Sequence, residues 1–255
     1  MMYQSNIYEY LEAQKGRFSK PLLILCADDR EAQQTADVVS IAGFNPSLLP
    51  EIRAGVGEDL RAYQTEIYRL FAILCAYFQD PGGRILVAPL RTMLLPLPDR
   101  KHFGSKVIEF GETIALQGFK EELYRWGYHF VDIASQQGEV SFRGDIIDVY
   151  PTSAEQPYRI SLFDEEVESI RRYDAKSQKS IQEELERLEI TPAYLAVSAT
   201  DFDAWKLRTE RSHYDAFVKD IDSLGLWHLE DLSEAYFPLF ESLQASELSE
   251  DVEEI

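Results

Sequence analysis

Cysteine is scarce in this sequence, with Cys26 and Cys75 alone, and positive charge is thin, with 25 lysines and arginines against 45 aspartates and glutamates. Each cysteine lies in an apolar stretch, where an unbridged thiol packs as a small hydrophobe, so no disulfide framework is expected. The net charge of −20 opposes condensation on a phosphate backbone, because nonspecific nucleic-acid affinity comes from lysine and arginine displacing counterions. That argues against broad DNA binding. Taken alone, the acidity signals solubility rather than a particular partner. Long apolar runs are missing too: Pro21–Ala27 and Leu70–Phe78 fall well short of the ~20 residues that a membrane span needs. Met1-Met2-Tyr3-Gln4-Ser5 has no basic segment followed by an apolar core, so the expectation is a cytoplasmic chain with no membrane association. His102, His129, His213 and His228 are scattered without a spacing that converges on a metal.

At 255 residues the chain exceeds a typical single domain, and two cores are expected. Pro21–Ala27 suits a strand buried on both faces of a parallel sheet. Asp28-Asp29 caps a helix over Arg30–Ala42, with Ala32, Ala36, Val39 and Ala42 at helical spacing and Gly43 as its stop. A longer helix from about Asp59 to Phe78, stopped by Asp80-Pro81-Gly82-Gly83, precedes a second buried strand, Arg84–Ala88. Strands alternating with helices make residues 1–112 half of a nucleotide-binding-type α/β domain. The pattern then changes. A short amphipathic helix, Phe119–Gly127, precedes strands over Val140–Tyr150, Pro157–Phe163 and Val167–Tyr173, which predict an antiparallel meander. Ser180–Glu189 returns to helical composition, and Pro192 marks the exit from a small module over 113–192. Residues 193–255 carry Trp205, Tyr214, Phe217, Trp227, Tyr236, Phe237 and Phe240, aromatics expected to pack back on the first domain, ahead of a frayed acidic tail.

A phosphate-binding loop would sit at the first strand-to-helix turn, where backbone amides hold phosphate when glycines allow close approach. The turn here is Cys26-Ala27-Asp28-Asp29-Arg30, no GxxxxGK[ST] occurs anywhere, and two aspartates would repel a triphosphate. ATP hydrolysis is not expected. Asp164-Glu165-Glu166 with Glu168 reads as a solvated hairpin turn rather than a carboxylate site, and Asp145 and Asp148 are treated with the same caution. The sheet is more informative. Period-two alternation puts Tyr158, Ile160 and Leu162 on a core face and Arg159, Ser161 and Phe163 on the opposite one. Arg143 precedes Gly144, where a bulge would turn it toward that same surface. Arginine grips carboxylates with two parallel hydrogen bonds and an aromatic fills a dry pocket, so Arg143, Arg159 and Phe163 are the candidate protein-binding residues.

The stretch Gly138-Glu-Val-Ser-Phe-Arg-Gly-Asp-Ile-Ile-Asp-Val-Tyr-Pro151, followed by Pro157-Tyr-Arg-Ile-Ser-Leu-Phe-Asp-Glu-Glu-Val-Glu-Ser-Ile-Arg171, resembles a signature shared by UvrB and the transcription-repair coupling factors. Tyr173-Asp-Ala-Lys-Ser-Gln-Lys-Ser180 is similar to the coupling-factor form of the segment after the sheet, and Leu188-Glu-Ile-Thr-Pro192 fits the stretch next to it. Similarity runs from about Leu22 to Pro192, including Leu86–Leu94, and fades beyond. An intact phosphate loop would be required of UvrB.

The resemblance implies an α/β chain: a degenerate, nonhydrolytic helicase-type (RecA-like) parallel-sheet domain over 1–112, an inserted small α+β antiparallel-sheet module over 113–192, and a return segment over 193–255. It implies that the module binds UvrA, with Arg143, Arg159 and Phe163 as the matching contacts. No catalytic, cofactor or metal residue is implied for this chain. In complete family members ATP belongs to a translocase motor, and RNA polymerase and double-stranded DNA are further partners, all through regions outside these 255 residues. The chain reads as a monomeric piece of such a protein. The competing reading is a UvrB-like ATP-dependent DNA-damage-verification protein.

Overall fold

The computed structural model describes residues 2–14, 21–53, 60–79, 85–94, 97, 100–194, 196–198 and 226–228. They fall into two compact units that divide between Lys101 and His102.

The first unit holds a three-stranded parallel sheet in the order β1 (Leu22–Cys26), β3 (Ile85–Pro89), β2 (Pro46–Leu48). The central strand β3 is buried along its whole length, as its uninterrupted apolar sequence requires. Helices α1 (Met2–Gln14) and α2 (Asp29–Ile41) close one face, where Ile7, Leu11, Ala32, Ala36 and Val39 pack on Leu22, Ile24, Ile85 and Val87. The ends of α2 are built as expected. Asp28 is its N-cap and accepts from the Glu31 amide at 2.8 Å. At the other end Gly43, at φ +89°, lets Phe44 N–H reach the Val39 carbonyl and closes the helix. Helix α3 (Gln64–Gln79) buries eight side chains, from Ile67 to Phe78, and a single turn α4 (Leu90–Met93) follows β3. The expected turn over Asp80–Gly83 lies outside the described residues.

The second unit begins with β4 (Lys106–Glu109) and α5 (Leu116–Arg125). Its main sheet has six strands in the order β10 (Ser180–Glu184), β9 (Glu166–Tyr173), β8 (Tyr158–Phe163), β7 (Ile146–Val149), β6 (Glu139–Arg143), β5 (His129–Phe130). From β6 to β10 neighbours are antiparallel, the expected meander, and β5 adds a parallel edge. Val140, Ile147, Val149, Ile160, Leu162 and Ile170 form the core. Helix α5 packs on this side, with Phe119 edge-on to Phe142.

Three local expectations are corrected. The stretch Val140–Tyr150 is not one strand: Gly144-Asp145 is a two-residue turn between β6 and β7, with Gly144 at φ +59°. A positive φ at the first turn position, where glycine pays no Cβ penalty, makes a tight hairpin and not a bulge. The irregularities of register fall elsewhere, one between β8 and β9 beyond the Ser161–Ser169 pair and one between β9 and β10. Helix α5 begins at Leu116, three residues before the expected Phe119; its N-cap, Ala115, makes no side-chain capping bond, so the sequence carries no start signal. Ser180–Glu189 is not helical: it forms β10 and the start of β11 (Arg187–Ile190), which pairs antiparallel with β4. Leu188 and Ile190 are buried while Arg187 and Glu189 are exposed, a period of two that the glutamate-rich composition conceals.

A further two-stranded pair joins β12 (Ala196–Ser198) to β13 (Leu226–His228). Trp205, Tyr214, Phe217, Tyr236, Phe237, Phe240, the Trp227 side chain and the acidic tail lie outside the described residues.

Candidate functional site

Sheet pairing carries every candidate residue to the face opposite the aliphatic core. Across one row, Ser141 pairs with Asp148, Asp148 with Arg159, Arg159 with Arg171, and Arg171 with Glu184. The next row holds Arg143, Ile146, Ser161 and Ser169. Phe163, two residues beyond Ser161, falls on the same side by alternation. Arg143 reaches this face by ordinary strand pairing, without the bulge expected at Gly144.

Asp148 holds the two rows together. Its side chain is fully buried, and its carboxylate accepts from Arg159 Nε at 2.6 Å and from an Arg159 Nη at 2.8 Å, a two-point grip. The same carboxylate takes an Nη of Arg143. Sequence reasoning set Asp148 aside, because an isolated aspartate in a strand gives no sign of which arginines will stand beside it. It also passed over Arg171, which sits directly opposite Arg159 and is paired with Glu184. Two like charges face to face destabilise a sheet, so each arginine needs the carboxylate on its outer side.

Arg159 is fixed from three further directions. Its remaining Nη donates to the Gln178 carbonyl at 3.2 Å and to Ser180 Oγ at 3.3 Å, and its guanidinium lies 4.8 Å from the centre of the Tyr173 ring. The Gln178 carbonyl is offered by a tight loop: Asp174 Oδ1 accepts from Ser177 N, Asp174 O accepts from Gln178 N, and Gln178 takes φ +59°. Tyr173 is buried, and its hydroxyl donates to the Ala134 carbonyl at 2.6 Å. Ser141 Oγ likewise donates to Asp132 O, so the segment after β5 covers this end of the face. The hydrogen bond to Asp148 raises the Arg159 pKa further above its ordinary value. Burial, followed by the Asp148 charge, pushes the Tyr173 phenol up.

Exposure divides the candidates. Phe163 is 75% exposed, the Arg143 side chain 44% and the Arg159 side chain 17%. Arg159 donates to four acceptor atoms of the protein, whereas among the described residues Arg143 donates only to Asp148 and its side chain stays partly exposed. Asp164 and Glu165 form the turn beside Phe163, both at positive φ and exposed, as a solvated hairpin should be. The turn after β1 has Asp28 and Glu31 filling the helix N-terminus with their own carboxylates, which accept from Glu31 N and Ala27 N. Cys26 and Cys75 are buried and form no disulfide. Among the described residues no cluster of histidine, cysteine, aspartate and glutamate could hold a metal ion.

A family model described as the UvrB interaction domain matches residues 107–195. The transcription-repair-coupling factor of Helicobacter pylori (strain ATCC 700392 / 26695) is 33% identical along 100% of this chain and 25% of its own length. That of Bacillus subtilis (strain 168) is 30% identical over 72% of this chain and 16% of its own length. That of Escherichia coli (strain K12) is 30% identical over 43% of this chain and 10% of its own length. The chain thus spans about a quarter of the Helicobacter relative's length.

Proposed function

The chain belongs to the UvrB-homology region of the transcription-repair-coupling factor family and carries a UvrB interaction domain, and on that premise we propose that it is a docking region that recruits UvrA in transcription-coupled repair. The observation that carries this reading is the solvent-facing surface on which Arg143 and Phe163 stand open beside an ordered Arg159. A planar guanidinium and an exposed aromatic on a rigid sheet suit a partner that offers a carboxylate and an apolar side chain, and such residues dominate protein interfaces. The module over 113–192 is the docking unit, with Arg143, Arg159 and Phe163 as its contacts.

The chain itself is non-catalytic in this reading and takes no cofactor. In the same reading its three-stranded parallel sheet is a degenerate, RecA-like remnant, and the carboxylates at the helix start where phosphate would bind support a nonhydrolytic role. In the complete protein, which acts in the cytoplasm, ATP, RNA polymerase and double-stranded DNA are handled by regions beyond the quarter matched by this chain.

Calorimetric titration of the full chain with UvrA tests the proposal. Phe163→Ala and Arg143→Ala should each weaken binding by about 2 kcal/mol. Unchanged affinity for both would remove the site. ATP turnover with DNA present, abolished by changes at Cys26–Arg30, would replace it with an enzymatic reading.

A further inference from the structure

We infer that Asp148 is a positioning residue for partner recognition: it holds the Arg143 and Arg159 guanidiniums in place on the docking face while itself remaining out of reach of the partner. The inference rests on the docking reading above and deepens it, since it identifies what prepares the arginines that the partner would meet.

Burial is the physical starting point. A surface arginine samples many rotamers and loses that freedom when it grips a carboxylate, which weakens binding. Here the anchor is already inside the protein. Asp148 is fully buried in the middle of β7, so its carboxylate is fixed by the sheet and water does not compete for it. Arg159 closes on it with two bonds and is backed by the Gln178 carbonyl, Ser180 Oγ and the Tyr173 ring. Arg143 joins the same carboxylate through a single Nη, and its side chain stays partly exposed. Tyr173 and Ser180 bound a segment that the sequence distinguishes from the sheet proper, and its loop supplies the Gln178 carbonyl that braces the hub.

Charge gives the inference its sharpest consequence. One carboxylate faces two guanidiniums, so the cluster keeps positive charge for an acidic group on the partner. If Asp148 mattered only through the electric field, removing its negative charge would tighten binding to that group. A positioning role demands the opposite sign, because Arg143 would lose its fixed orientation.

Binding of UvrA to the full chain should be measured by calorimetry for the wild type, Asp148→Asn, Arg143→Ala and the double variant, each checked for folding by circular dichroism. The expected result is binding about tenfold weaker for Asp148→Asn, with the loss in the double variant smaller than the sum of the two single losses. Unchanged or tighter binding by Asp148→Asn, or additive losses in the double variant, overturns the positioning role and leaves the docking site standing. Full affinity in both Arg143→Ala and Phe163→Ala overturns the docking site, and the positioning role with it. If Asp148→Asn does not fold, nitrogen-15 spectra of arginine side chains in the wild type decide the matter. Restricted rotation of the Arg143 guanidinium supports the inference, and free averaging like that of an exposed arginine overturns it.

Discussion

Asp148 and Arg159 meet across β7 and β8 as directly paired residues, carboxylate to guanidinium at 2.6 and 2.8 Å, at a position where the carboxylate has no solvent exposure. Withdrawing a carboxylate from water costs several kcal/mol, which attraction offsets only when geometry is good and the remaining hydrogen-bonding capacity is filled. Both conditions hold here. The Arg143 Nη supplies a third bond, and Arg159 donates further to the Gln178 carbonyl and Ser180 Oγ. The face is therefore knit together around Asp148 and Arg159 and open at Arg143 and Phe163.

Asp148→Ala should lower stability by about 3–5 kcal/mol, since it leaves two guanidiniums at the face without their carboxylate. Urea denaturation measures it. Asp148→Leu combined with Arg159→Leu should recover most of the loss, because apolar residues of similar volume replace a buried ion pair at little net cost. A loss below about 1 kcal/mol for Asp148→Ala would contradict a buried grip of this strength.

Gly144 offers a test of the turn that brings Arg143 beside Ile146. A Cβ at this position would meet nothing within 4 Å, so Gly144→Ala is opposed by its φ of +59° alone. The expected cost is about 1–2 kcal/mol, read as a shift in the urea midpoint. Asp145→Ala, at the neighbouring turn position without positive φ, should change stability by less than about 0.5 kcal/mol. Equal effects at the two positions would argue against the turn.

The core of the meander was legible because alternation alone separates Ile160 and Leu162 from Arg159 and Phe163. The anchor was not. Asp148 is identified by what stands across from it, and register between strands is a property of the pairing that a single strand's sequence does not display. Likewise Ser180–Glu189 has the composition of a good helix former, yet pairing with β9 and β4 overrides that local preference. The strand assignment predicts a marked contrast between neighbours. Leu188→Ala should cost about 2–4 kcal/mol, and Glu189→Ala, whose side chain faces solvent, close to nothing. Comparable costs would mean that the period of two is not real in β11.

Tyr173 makes the stability of the fold sensitive to alkaline pH in a direction that can be stated in advance. Burial of its phenol, followed by the nearby Asp148 charge, disfavours ionisation and outweighs the opposing Arg159 and Arg143 charges, so its pKa is raised in the folded chain. In the unfolded chain the phenol titrates near the ordinary value of about 10. Above that pH the unfolded state releases a proton that the folded state keeps, so stability present at neutral pH is lost as pH rises from about 10 toward the folded value. Tyr173→Phe should remove this contribution to the slope, while lowering neutral-pH stability by about 1 kcal/mol through loss of the bond to Ala134. The difference between wild type and Tyr173→Phe isolates the phenol. Parallel pH profiles above 10 for the two would show that the Tyr173 hydroxyl is not held as the geometry requires, and would loosen the packing that keeps Arg159 against its ring.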